Sequence, residues 1–331
     1  MLREYLAGFQ PKQPQIVGNM TVIPLVSVEK EFTGIAGAEN VGLKKDIDYG
    51  LLELKTLEDE ITIVPNGYTI ITKERAQDRT VPSVHILQKN KKVKSYCVQS
   101  QQGGLMSPED EDSKTIRLLP LAVRHHAYTV DRQNNNQIGA LWGKLGEINR
   151  QLGINGDYLV TFFNRFQKEL EQFVAQFEPI PNQRGAIVLI NGRVVGIDIM
   201  PSSRSFSHIW EMLIRDCYGA EAIRLQDQVD IAPIATLGSV NSIDRLLTAV
   251  QVMAENERKW AYGIVKAVLD QAVVVEKDSV IKTKNHGKLA IKRLLSDELE
   301  GQAILDKDNC AVYLSLFRYV VKKEVAKAFP I

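Results

Sequence analysis

Arg75, Gln77 and Arg79 recur at every second position of Lys73-Glu74-Arg75-Ala76-Gln77-Asp78-Arg79-Thr80. In an extended backbone that spacing puts all three on one face, with Glu74 and Asp78 on the other. Two planar guanidiniums and an amide suit a phosphate or a carboxylate, because each guanidinium offers a two-pronged donor. The same pattern suits a solvated strand whose charges pair across a sheet. Cys97, in Tyr96-Cys97-Val98, lies in another β-like run. As a nucleophile it needs a base beside it; as a small buried hydrophobe it needs none, and burial is the simpler expectation. Between residues 279 and 296 stand five basic residues, Lys282, Lys284, Lys288, Lys292 and Arg293, with His286 and no acid. That set suits a nucleic-acid backbone, yet Asp297, Glu298 and Glu300 follow at once. A solvated charged face is the simpler reading. His125 and His126 are adjacent, and neighbours on a strand point to opposite faces. No further ligand stands at metal spacing, so neither a metal nor a cofactor is expected.

The chain carries no P-loop, dinucleotide GxGxxG, GxSxG elbow, HExxH or EF-hand pattern. Its 41 Lys+Arg balance 40 Asp+Glu, a net charge of +1. A balanced chain has no overall electrostatic grip on nucleic acid or an anionic membrane, so neither is expected as a partner. Three widely spaced cysteines, Cys97, Cys217 and Cys310, fit a reducing compartment and no disulfide framework. No apolar run is long enough to span a membrane, and the start MLREYLAGFQPKQP has no secretory apolar core, so a cytoplasmic protein is expected.

The elements that must position these residues change character along the chain. Residues 1–15 read as a tail with at most a short helix. From Ile16 the pattern is β-like: Thr21 to Val28, with Pro24 marking an edge or a bulge, then Tyr49 to Leu54, Val84 to Leu87 and Val93 to Val98. Ile61 to Val64 and Tyr68 to Thr72 flank Pro65-Asn66-Gly67, which predicts a hairpin because Asn and Gly tolerate positive φ. Lys89, Lys91, Lys92 and Lys94 suit a charged sheet edge. The loop from Gln101 to Pro108 and the acidic run 109–112 read as solvated. Helical spacing begins only after about residue 130, with Ile138, Leu141, Trp142, Leu145, Ile148 and Leu152 on one face. A second helix runs from Tyr158 to Phe177 and holds five of the ten phenylalanines, a core rather than a base-stacking surface. A hairpin is predicted at Asn191-Gly192, helices at 206–218, from Ser242 and at 318–329, a short strand at 272–275, and a third hairpin around Asp306 to Asn309. The fold class is therefore α+β: a β-rich, sandwich-like sheet over 16–130, then an α+β part over 131–331.

Arg75-Ala76-Gln77-Asp78-Arg79 also resembles the AKQNR motif of the bacterial ARPP domain family, with Ala76 and Asp78 in place of its Lys and Asn. Ser95 to Gly103 resembles the strand with a Cys that follows it, and Gly185 to Asp198 the hairpin GAVVxxxGRVVGLD. Gln137 to Trp142, Phe206 to Ile214 and Leu305 to Phe317 continue the likeness, which runs from about residue 16 to 318. The resemblance implies a role beside ADP-ribosylglycohydrolases and rhodanese-phosphatases, in prokaryotic conflict or stress systems that handle nucleotides or ADP-ribose. The expectation is a binding or interaction module. Arg75, Gln77, Arg79, Cys97, Gln101 and Gly103 would form its ligand site, for a phosphate-bearing small molecule or a partner protein; a homodimer fits as well. The alternative is a hydrolase acting on a nucleotide-derived substrate.

Overall fold

A computed structural model describes residues 1–28, 31–72, 76–100, 103–106, 114–134, 137, 139–227, 263–283 and 287–318, without the side chains of residues 277 and 278. It opens on a 3-10 turn, Leu2–Leu6, and three strands, β1 (Phe9–Pro11), β2 (Gln15–Val17) and β3 (Met20–Ser27). This start is not a tail: Leu2 and Leu6 are buried in the apolar core and β1 pairs with β3. Ten strands follow: β4 (Ile35–Ala36), β5 (Val41–Asp48), β6 (Leu51–Thr56), β7 (Ile61–Val64), β8 (Tyr68–Ile71), β9 (Arg79–Val81), β10 (His85–Leu87), β11 (Lys91–Lys94), β12 (Tyr96–Cys97) and β13 (Thr115–Leu118). They make three small sheets, ordered β10-β7-β4, β11-β6-β5 and β12-β9-β8-β13. Four helices come next, α1 (Leu121–Arg132), α2 (Trp142–Gln151), α3 (Leu159–Arg165) and α4 (Gln167–Gln176), then the hairpin β14 (Gln183–Ile190) and β15 (Arg193–Ile199). A continuous helix is formed by α5 (Ser203–Glu211), a π-helical stretch Met212–Gly219 and α6 (Ala220–Arg224). After a helical segment at 263–269, β16 (Val274–Thr283), β17 (Gly287–Leu295), β18 (Leu299–Leu305) and β19 (Ala311–Arg318) complete the described chain.

Nine strands form the main sheet, in the order β1-β3-β14-β15-β19-β18-β17-β16, with β2 also on β3. Strands from before residue 28 and from after residue 183 thus share one sheet, which crosses the division expected near residue 130. Side chains alternate between its faces. Met20, Val22, Ala186, Val188 and Ile190 join a core with the small sheets and α5. Ile23, Leu25, Ile187 and Leu189 face the other way, against Leu2, Leu6, Val265 and Val268. Two covered faces explain why Ala186 to Ile190 is apolar at every position. The arrangement is α+β, as its sequence pattern predicts.

Several local expectations change. Pro24 lies inside the sheet, not on an edge. Its carbonyl accepts from Lys12 N–H at 2.9 Å. In an antiparallel strand N–H and C=O of one residue point the same way, so its donorless nitrogen faces the gap between β1 and β2. Asn191-Gly192 makes the predicted hairpin, with φ of 47° and 68°. β18 and β19 pair across Asp306 to Asn309. Asn66-Gly67 makes a turn but no hairpin: β7 pairs with β10 and β4, β8 with β9 and β13. Asn66, unlike Asn191, does not take positive φ, so the two-residue hairpin turn does not form, and Arg124 lies against the turn. A Cβ on Gly67, whose φ is +75°, would meet Arg124 Cγ at 2.8 Å. Helix α1 starts at Leu121, before the expected change of period, and carries His125 and His126, which are therefore not on a strand. The predicted helix over 158–177 is two, broken at Phe166. Its aromatics are core: Phe162, Phe163 and Phe177 are buried. The strand expected at 272–275 runs on to Thr283 as β16. Ile138, the acidic run at 109–112, the helix from Ser242 and the segment 319–329 lie outside the described residues.

Candidate anion-binding cleft

Of the residues singled out by alternation, Gln77 lies in a loop and Arg79 on a strand, so these two do not share an extended face. Ala76, Gln77 and Asp78 lie in the loop before β9, where Asp78 Oδ1 accepts from Thr72 N–H at 2.7 Å and from its hydroxyl at 3.0 Å. Gln99 Nε2 donates to Asp78 Oδ2 at 2.5 Å, and Gln77 Nε2 donates to the Gln99 carbonyl. Arg79 is fully buried on β9. It pairs with Asp46 at 3.4 Å, donates to the Asp48 carbonyl at 3.1 Å, and lies 5.2 Å from the Tyr49 ring centroid. Burial pushes the Asp46 carboxyl up, although Met106 N–H and Arg79 oppose it. Cys97 stands opposite Arg79 in the strand pairing, so Gln77, Arg79 and Cys97 do come together. Their polar groups turn to protein partners. The Cys97 thiol, pushed up to about 11 by burial, lies 3.9 Å from the Tyr49 carbonyl. Gly103 is exposed, and Arg75 and Gln101 lie outside the described residues.

In the basic set after residue 279, strand alternation puts Lys288 and Lys292 on one face of β17 and Arg293 on the other. Lys282 and Lys288 are exposed across the β16–β17 pair. Lys292 donates to Asn309 Oδ1 at 3.0 Å, while Arg293 is 3.7 Å from Glu276. Lys284 lies outside the described residues. No group of three or more His, Cys, Asp or Glu with metal-binding geometry occurs among the described residues.

Convergence occurs elsewhere. A cleft of about 440 Å³ lies between α1, α2, the β14–β15 turn, α6 and the end of β19. Its apolar floor is Leu121, Ala122, Ile190, Val195 and Leu225. Around it stand Lys144, Arg193, Arg224, Arg318 and His125, with Glu221 the single acid of the lining. That volume is within the range of small-molecule sites. The lining holds four permanent cations to one carboxylate, and Glu147 and Glu298, outside it, pair with two of those cations.

Each group is held by its element. Pro120 precedes α1, where a proline costs no intrahelical bond. Arg124 fixes the helix to the sheet. Its Nη2 donates to Asp198 Oδ1 at 3.0 Å and its Nη1 to Oδ2 at 3.2 Å, and Nε donates to the Asn66 carbonyl at 3.0 Å. Asp198 also accepts from Tyr218 at 2.6 Å and Ser315 at 2.7 Å, all in the interior. The next residue, His125, faces the cleft. Its Nε2 lies 2.5 Å from Glu300 Oε1 on β18, and Arg132, two turns on, donates to Glu300 Oε2 at 2.8 Å. Burial raises the Glu300 carboxyl, but the hydrogen bonds and charges of His125 and Arg132 outweigh it and hold it low. Lys144 reaches Glu147 at 3.0 Å, Arg224 grips Glu221 with two bonds, and Arg318 meets Glu298 at 2.7 Å. Arg193 is exposed at the end of the Asn-Gly turn.

A second cavity, of about 500 Å³, is larger but has no charge bias: Glu4 and Asp308 offset Arg184 and Lys292. The Arg184 guanidinium there is stacked between Phe9 and Phe32 at 5.1 and 5.2 Å.

The cleft residues come from positions 121 to 318, and no local spacing links them. The one signal in the chain was the Asn191-Gly192 turn, which sets Arg193 at its rim.

Comparison with known families gives a match over residues 8–290 to a family model described as ARG and Rhodanese-Phosphatase-superfamily-associated Protein domain. Neither the curated proteins nor the solved structures give a match.

Proposed function

The chain belongs to this family, and on that premise we propose that it is a recognition module whose cleft takes a phosphate-bearing small molecule of the nucleotide or ADP-ribose class. The family is associated with ADP-ribosylglycohydrolase and rhodanese-phosphatase systems, which fits a conflict-system domain. The observation that carries the reading is the lining of the cleft: Lys144, Arg193, Arg224 and Arg318 against Glu221, over an aliphatic floor. The cations serve the phosphate, and the floor accepts the less polar remainder of the ligand.

The test is calorimetric titration with ADP-ribose, AMP and inorganic phosphate. Arg193→Glu reverses an exposed rim charge without touching the core. It is expected to weaken binding about tenfold, roughly 1.4 kcal/mol, and the wild-type affinity should fall as salt rises. No binding of any of the three at millimolar concentration, or binding indifferent to Arg193→Glu and Lys144→Glu, would overturn the reading.

A further inference from the structure

We propose that the cleft is also hydrolytic, with His125 as the general base that activates water against a phosphoester of the bound ligand. The inference rests on the anion-binding reading of the same cleft.

His125 lines the cleft, and its Nε2 is committed to Glu300 Oε1 at 2.5 Å. Glu300 is itself buried and clamped through its second oxygen by Arg132 at 2.8 Å. A carboxylate accepting at Nε2 fixes the proton there and leaves Nδ1 as the basic nitrogen. Nδ1 has no hydrogen bond among the described residues, and the side chain is 25% exposed. The ring is further located by Phe317, with centroids 6.2 Å apart. An imidazole oriented by a buried carboxylate, with its other nitrogen unengaged, is the arrangement of a general base. A purely structural His–Glu pair has no need of a cationic cleft beside it.

The step balances with water alone. A water oxygen forms the new P–O bond while its proton passes to His125 Nδ1. The ester P–O bond breaks, and the proton on Nδ1 passes to the leaving oxygen. One water is consumed, giving an alcohol and a phosphate. Lys144 and Arg193 would stabilise the charge that builds on the phosphoryl oxygens.

The experiment follows p-nitrophenol release from p-nitrophenyl phosphate and bis(p-nitrophenyl) phosphate, beside calorimetric titration with inorganic phosphate. The wild type should turn over one of the esters. His125→Asn should lower kcat at least a hundredfold and leave phosphate affinity within threefold. Glu300→Gln should lower kcat about tenfold and move the pH profile, a change that loss of packing alone does not cause. Thermal melting of each variant confirms that it is folded. A wild type that binds phosphate but releases no p-nitrophenol overturns the hydrolytic proposal and leaves the binding reading standing. So does hydrolysis that survives His125→Asn. A wild type that neither binds phosphate nor hydrolyses either ester overturns both.

Discussion

Arg124→Met removes the cation that neutralises Asp198 in the protein interior. In the wild type the Asp198 carboxylate accepts two bonds from Arg124, at 3.0 and 3.2 Å, and one each from Tyr218 and Ser315, at 2.6 and 2.7 Å. The variant keeps only the two neutral donors. Breaking a buried pair by deleting one partner costs about 3–5 kcal/mol, because the remaining charge stays out of water. The Asn66 carbonyl loses its donor as well, worth about 1 kcal/mol, although Tyr313 still donates to Asn66 Oδ1 at 3.1 Å. Methionine has comparable reach, so the cavity contribution is small. The expected loss is about 4–6 kcal/mol, a large share of the roughly 5–15 kcal/mol that holds a domain folded. Urea denaturation followed by far-ultraviolet circular dichroism measures it on Arg124→Met, Asp198→Asn and the double variant. The double variant should recover at least about 2 kcal/mol relative to additivity, since it no longer buries an unpaired charge. A loss below about 1.5 kcal/mol, or strict additivity, would refute the claim that this pair pins α1 to the sheet.

Three further outcomes follow from the same geometry. Cys97, pushed up to about 11, is overwhelmingly protonated at neutral pH, so iodoacetamide at pH 7.5 should label it far more slowly than an exposed thiol; fast labelling in the folded protein would contradict its burial. The His85 imidazole is pushed down to about 4, first by burial and then by the Lys91 charge. The native state therefore binds fewer protons than the unfolded chain. This stability is complete above about pH 6.5 and is lost as pH falls toward 4, by roughly 2 kcal/mol given the partly open side chain; His85→Gln should flatten that stretch of the stability curve. Gly196→Ala drives a Cβ into the Tyr218 hydroxyl, which donates to Asp198. It should cost about 2–3 kcal/mol in denaturant melts; a neutral effect would mean that Tyr218 can withdraw freely.

What the sequence discloses depends on the range of the physics. Alternation and helical spacing are local, so the β character before residue 120, the aromatic core at 162–177 and the Asn191-Gly192 hairpin are all legible. The same dipeptide at Asn66-Gly67 misleads. Gly67 has positive φ but Asn66 does not, the turn accepts hydrogen bonds from Arg124, 58 positions away, and the flanking strands go to different sheets. At Gln77 and Arg79 the alternating residues serve the fold. Arg79 and Asp46 neutralise each other inside the protein, and Asp78 bonds to Thr72 and so closes the loop on itself. A guanidinium read on a strand can serve a ligand or the fold, and only the partner decides. The His125-His126 pair carried no signal of its own, because the partner of His125 is a glutamate 175 positions later.

Net charge is the weakest guide to the cleft, and the reason is geometric. Three of its cations hold acids: Lys144 meets Glu147, Arg224 meets Glu221, and Arg318 meets Glu298. Counted along the chain, these pairs cancel. In space, Glu147 and Glu298 are not among the residues that line the cleft, whereas Lys144, Arg224 and Arg318 are. The lining itself carries four cations to one acid. A net charge of +1 is thus compatible with a cleft lined by more cations than acids. Moving one such acid into the wall should matter more than removing it. Glu147→Gln frees Lys144 and changes affinity little, whereas Lys144→Glu puts a second carboxylate in the lining beside Glu221 and opposes the ligand directly.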